Sequence, residues 1–162
     1  MKTSLFIFVF FLGLFSPSLT KVREDYKNAF NSKEVTLQLN KDLAEVKKTD
    51  ENLLVAYKGA VLTLMAKHSK ITKEKKIFFK EGATLINFAI NEQPTNVEMR
   101  CIRLGVQENT PKLLKYRANK TEDKQLIKDQ FENIKSNDVK KYVRGFIMQS
   151  KSFSDEEKKH FN

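Results

Sequence analysis

Asp50-Glu51-Asn52-Leu53-Leu54-Val55-Ala56-Tyr57-Lys58-Gly59-Ala60-Val61-Leu62-Thr63-Leu64-Met65-Ala66-Lys67 decides the fold. Between Leu53 and Ala66 the only charged side chain is Lys58, and apolar residues point in nearly every direction around a helical wheel. A helix that is apolar all round lies inside a protein and needs neighbours on every side. These fourteen residues are too few to cross a bilayer, which takes about 20. The segment is therefore the central core helix of a globular domain, and Ala56, Gly59 and Ala60 read as small residues that let another helix come close.

The flanks supply those neighbours. Lys73 to Asn91 has the next helical pattern, with Phe78, Phe79, Gly82, Leu85, Ile86, Ala89 and Ile90 on one broad face that should pack on the central helix. Upstream, Lys21 to Phe30 reads as a short helix. Asn31 with Glu34 forms a capping box for a second, on which Val35, Leu39, Leu43 and Val46 recur. Downstream, Pro94 ends a connection and Asn96 caps a helix striped by Met99, Ile102 and Val106, which Asn109 and Pro111 stop. A loop with Leu113, Leu114 and Tyr116 follows. Thr121 begins a helix carrying Ile127, Phe131 and Ile134, and Asp138 one carrying Val139, Tyr142, Val143 and Phe146, with Lys140, Lys141 and Arg144 opposite. Ser154 with Glu157 caps a last short turn ending near Phe161. No strand alternation occurs, so the expected fold is all-α, built of stacked antiparallel helical hairpins.

The chain begins with Lys2 and the eleven-residue apolar run Leu5 to Phe15, the length of a signal-peptide core rather than of a membrane span. Ser16 and Ser18 fit cleavage after Ser18, with Thr20 as a second position, so residues 1–20 read as a signal peptide and residues 21–162 as one exported helical domain. Cys101 is the only cysteine, which rules out an intramolecular disulfide and cysteine-rich structural zinc. Export without disulfides suits a bacterial periplasm or envelope better than a eukaryotic secretory route, although Asn119-Lys120-Thr121 would be a glycosylation acceptor in the latter.

The formal net charge is +10, mostly from dispersed lysine. Such a distribution is a solvated face with generic attraction to anionic membrane or polysaccharide. It lacks the basic cluster interleaved with aromatics that nucleic acid requires. His68 and His160 are far apart in charged, exposed contexts and share no metal-ligand spacing with Cys101, so neither a metal nor a cofactor is implied. Cys101 reads as a partly buried, inert thiol. The acidic pairs Glu24-Asp25 and Glu122-Asp123, and the triplet Asp155-Glu156-Glu157, sit at helix starts, where they complement the helix dipole.

Two constellations carry chemistry. On a wheel of 100° per residue, Arg103, Gln107 and Arg100 fall at about 40°, 80° and 100° from Met99. This polar ridge beside an apolar stripe suits the clamping of a carboxylate, phosphate or peptide end. The same arginines serve equally to pair with carboxylates of neighbouring helices and lock the packing. Lys58, on the buried helix and next to Tyr57, is either a perturbed amine and anion anchor or a lysine that snorkels to the surface along a seam marked by Gly59 and Thr63.

The segment Ala89-Ile90-Asn91-Glu92-Gln93-Pro94-Thr95-Asn96-Val97-Glu98 resembles the end of a tetratricopeptide repeat, and Ala56-Tyr57-Lys58-Gly59 resembles the first helix of one. The interval from Gly59 to Pro94 is about eleven residues longer than the matching interval within a regular unit, which makes the resemblance one to an irregular, TPR-like stack. Over the whole chain, Ala56-Tyr57-Lys58-Gly59-Ala60, Arg100-Cys101-Ile102-Arg103, Gln107, Pro111 and Tyr116 are similar to phrases of a family of short exported helical proteins from Gram-negative bacteria. The resemblance implies a fold and an address. The functional expectation is a protein-protein interaction or accessory module of the envelope, whose partner is another envelope protein or a peptide. The alternatives are a small-ligand protein or enzyme with an interhelical pocket around Lys58, Tyr57, Arg100 and Arg103, and a subunit of a homo-oligomer.

Overall fold

The helix expected to be apolar on every side is the third of eight α-helices in a computed structural model that describes residues 17–161. The helices are α1 (Leu19–Ala29), α2 (Lys33–Asp42), α3 (Asn52–His68), α4 (Thr72–Glu92), α5 (Val97–Asn109), α6 (Lys120–Gln130), α7 (Asn137–Gln149) and α8 (Asp155–Lys159). Single 3-10 turns lie at Lys112–Leu114 and Phe131–Asn133, and the described residues contain no strand. The leader assigned to the first residues falls outside the described ones up to residue 16. Within them, Ser18 precedes α1 and Thr20 lies in its first turn. Among the described residues no helix is long and apolar enough to cross a membrane.

Three consecutive hairpins, α1/α2, α3/α4 and α5/α6, stack against one another, and α7 packs on α5. The tightest seam is α3/α4. A Cβ on Gly59 would lie 2.6 Å from the Gly82 carbonyl oxygen, and one on Gly82 would press still closer on the Gly59 carbonyl oxygen. The two backbones touch because neither residue has a side chain at the crossing. Gly59 is thus buried against Gly82 and does not mark the exposed seam expected beside Lys58, whereas Thr63 next to it is half-buried.

α5 is a wall between two cores. Its Met99, Ile102 and Val106 close the first, formed with α1 to α4 around Leu39, Leu43, Tyr57, Val61 and Ile86. Its Cys101 and Leu104 close the second, with Ile127, Phe131, Val143, Ile147, Phe153 and Phe161. The ring of Phe161 meets Phe131 and Phe153 edge-on at centroid distances of 5.0 and 6.0 Å, which holds the C-terminal turn on this core.

Caps follow the sequence with two shifts. Asn96 accepts from Met99 N, and Ser154 with Glu157 completes a reciprocal capping box. The cap of α2 is Ser32, not Asn31, since its hydroxyl accepts from Val35 N. Ser136 caps α7 in the same way, two residues ahead of the expected start at Asp138.

Candidate functional site

Asn96 starts α5 so that Arg100, Arg103 and Gln107 leave one side of it, one or two turns apart, and all three meet the first turn of α6. Arg103 holds the Asp123 carboxylate with two parallel bonds, Nε to Oδ2 at 2.8 Å and Nη2 to Oδ1 at 2.6 Å. Arg100 Nη1 donates to Asp123 Oδ1 at 2.9 Å and to Glu122 Oε1 at 2.5 Å, while its Nε and Nη2 donate to the Pro94 carbonyl at 2.9 and 2.6 Å. Gln107 Nε2 adds a bond to Asp123 Oδ2 at 3.2 Å, and its buried Oε1 is unpaired. Asp123 is 0 % exposed, and Arg100, Arg103 and Gln107 are buried. Two guanidinium groups therefore face two carboxylates, and only Glu122 reaches the surface.

The electrostatics follow from this geometry. Burial opposes the charge on Arg100, but its bonds to Asp123 and Glu122 outweigh that and raise its pKa. Glu122 is held below the usual carboxylate range, first by the Asn119 amide and then by Arg100. An Arg fork already bound in parallel to a carboxylate has spent the donors that would grip an external anion. As arranged, the ridge is an internal clasp of α6 onto α5.

A second buried carboxylate lies on α5 two residues before Arg100. Glu98 accepts from Arg23 Nε at 2.7 Å and Nη2 at 3.0 Å, and from the Tyr57 hydroxyl at 2.6 Å. It ties α1, α3 and α5 together. Burial pushes the Tyr57 phenol far above its ordinary pKa, with Tyr142 and the Glu98 carboxylate acting in the same direction. The Tyr26 ring meets Tyr57 edge-on at 5.4 Å.

Lys58 points elsewhere. Its Nζ donates to the Ala44 and Val46 carbonyls, both at 2.7 Å, which lie just beyond the end of α2. The ammonium thus holds the turn that follows α2. Of the five residues singled out in the sequence, the structure brings together Arg100, Arg103 and Gln107, while Tyr57 sits at Glu98 and Lys58 at the end of α2. Cys101 is fully buried rather than partly so, because the second core covers that side of α5, and burial pushes its thiol well above the ordinary value. His160 is exposed. His68, expected to be exposed, is half-buried, and burial followed by the neighbouring Lys67 lowers its pKa. Among the described residues no three His, Cys, Asp or Glu side chains are placed to hold a metal ion.

Sequence reasoning missed Asp123, Glu98 and Arg23 as partners. Acids in a first helical turn are expected for the dipole alone. The usable signal was register, since Asp123, Ile127 and Phe131 are four residues apart and Glu98 stands four before Ile102, which puts both acids on core-facing positions. With the fold and the site in view, comparison with known proteins adds nothing. No protein family, characterised protein or solved structure matches the chain.

Proposed function

We propose that this chain is an exported helical interaction module of the bacterial envelope that meets a protein partner through the outer face of α4. The observation that carries this reading is the unequal use of the two ends of that helix. From Gly82 onward α4 turns Gly82, Ile86, Ala89 and Ile90 into the core, whereas Thr72 to Ile77 are all exposed and the helix packs mainly on α3 and α5. Ile71 and Ile77 are 56 % and 53 % exposed, and Ile77 lines a shallow groove of about 420 Å³ with Lys48, Lys80, Glu81, Thr84 and Leu85. An apolar centre with a charged rim is the composition of a protein-binding patch. Arg100, Arg103 and Gln107 support the reading indirectly, as the braces that hold α5 and hence α4 in place. Tyr57, Lys58 and both arginines each have an internal partner, so the interhelical-pocket alternative lacks a free functional group at those positions.

The test is capture from envelope extract at high salt, with the wild type beside Ile77→Asp. A partner held only by the wild type, with equal melting temperatures for the two proteins, is the expected result. Capture of the same proteins by both, or of none by either, overturns the assignment of the α4 face.

A further inference from the structure

The connection between α5 and α6 is the longest in the described chain, and it exposes the wrong residues for a passive loop. Leu113 is 87 % exposed and Leu114 43 %. One exposed leucine is unremarkable on a protein surface, but here two adjacent ones stand at a tip whose shape is fixed. Leu114 N bonds the Pro111 carbonyl and Lys115 N the Lys112 carbonyl, both at 3.1 Å. Lys115 takes the left-handed conformation at φ 52°, which a residue with a side chain adopts only when its surroundings impose it.

The base of the tip is clamped as firmly. Arg117 donates to the Thr110 carbonyl through Nε at 2.9 Å and also through Nη2. The Thr110 hydroxyl donates back to the Val106 carbonyl at 2.6 Å. Tyr116 donates to Asn87 Oδ1 at 3.1 Å and sets its ring edge-on to Phe79 at 5.7 Å, which fastens the loop to α4. Burial raises the Tyr116 pKa to about 12, so the phenol remains a donor. What is left pointing outward is Leu113 and Leu114 between the exposed Lys112 and Lys115, and no acid occurs from Thr110 to Thr121.

We propose that the Pro111–Arg117 tip is a contact for an anionic phospholipid surface, with Leu113 and Leu114 entering the head-group boundary and Lys112 and Lys115 lying against the anionic head groups. Charge complementarity selects this occupant. A patch of two leucines is too small to anchor a protein alone, and lysines beside it add attraction only where the surface is negative. The contact is accordingly reversible and salt-sensitive. It goes beyond the α4 reading and is tested with lipid alone, so either can fail without the other.

The chain contains no tryptophan, so Leu113→Trp in the full chain gives a single emitter at the tip, and Ile77→Trp gives a matched one on α4. Vesicles of neutral phosphatidylcholine and of phosphatidylcholine with phosphatidylglycerol are compared, with brominated acyl chains as quenchers. The expected result is a blue shift and quenching for Leu113→Trp on anionic vesicles and neither for Ile77→Trp. Adding Lys112→Gln and Lys115→Gln should weaken partitioning roughly 30-fold, the equivalent of about 1 kcal/mol for each lysine. An equal response at both emitters would show adhesion through another part of the chain and overturn the proposal. So would no response on anionic vesicles, or a response to envelope polysaccharide or protein in place of lipid.

Discussion

The α3/α4 and α5/α6 hairpins solve the same packing problem by opposite means. At the first seam two glycines place no side chain of their own at the crossing, and the helices approach until their backbones touch. At the second the helices are joined by a buried carboxylate under two guanidinium groups and an amide. An apolar seam is selected by shape and tolerates small shifts along it, whereas bidentate ion pairs demand one direction and one register. The first region carries more of the apolar burial than the second. The second, made of shorter helices, fixes α6 where its own stripe of Ile127 and Phe131 would leave it less constrained.

The contrast breaks most readily at Asp123. Asp123→Ala strips the buried Arg103 of its hydrogen-bond acceptor and leaves Arg100 with only Glu122 and the Pro94 carbonyl, and should cost about 3–5 kcal/mol, read as a lowered urea midpoint. Replacing the three buried charges together sharpens the comparison. Arg100→Met/Arg103→Leu/Asp123→Leu should recover most of that loss, because apolar residues of similar volume often equal or exceed a buried ion pair. If the triple variant is as unstable as the single one, the network contributes stability as well as direction.

At the other seam Gly82→Ala places a methyl against the Gly59 carbonyl and should cost about 1–3 kcal/mol through forced separation of the helices. The double variant with Gly59→Ala should be non-additive, as expected for residues in contact.

A smaller effect concerns acid. Glu157 has its pKa lowered to about 2 by Lys124, by the Ser154 backbone and by Lys128. A carboxylate whose folded pKa lies below its unfolded value stabilises fully above the unfolded value and loses that contribution as pH falls through the folded one. The melting temperature should therefore drop between about pH 4.5 and about pH 2, and Glu157→Gln should flatten the circular-dichroism melting profile across that window. Smallest of all, Leu113→Ser should change stability by no more than about 0.5 kcal/mol, because that side chain touches solvent.

How legible each region was in the sequence follows the same division. Leu53 to Ala66 declared itself because no solvated face exists on it, and Gly59 among its small residues pointed to a close approach whose other half is Gly82. Asn96 and Ser154 were readable as caps because their chemistry acts within three residues. Of the adjacent cap-forming residues Asn31 and Ser32, the spacing to Glu34 pointed to Asn31, and the helix uses Ser32. The charged seam was legible only by half. Arg100, Arg103 and Gln107 stood out as a ridge, but their partner is 16 or more residues away and was masked by the ordinary preference of acids for helix starts. Lys58 was ambiguous for a related reason, since the acceptors it found are main-chain carbonyls, which every residue offers.

The wall formed by α5 also has a kinetic side. Cys101 lies on it as the chain's single thiol and is sealed beneath the second core. A thiol reagent can modify it only when that half of the molecule opens, so the labelling rate is a clock for that opening, started by adding reagent and needing no engineered probe. α5 backs both cores, and an excursion that exposes Cys101 by moving α5 also uncovers Met99 and Ile102. If labelling proceeds at the rate of global unfolding, the two cores open together; faster labelling means that α6 to α8 lift away while the N-terminal hairpins stay closed.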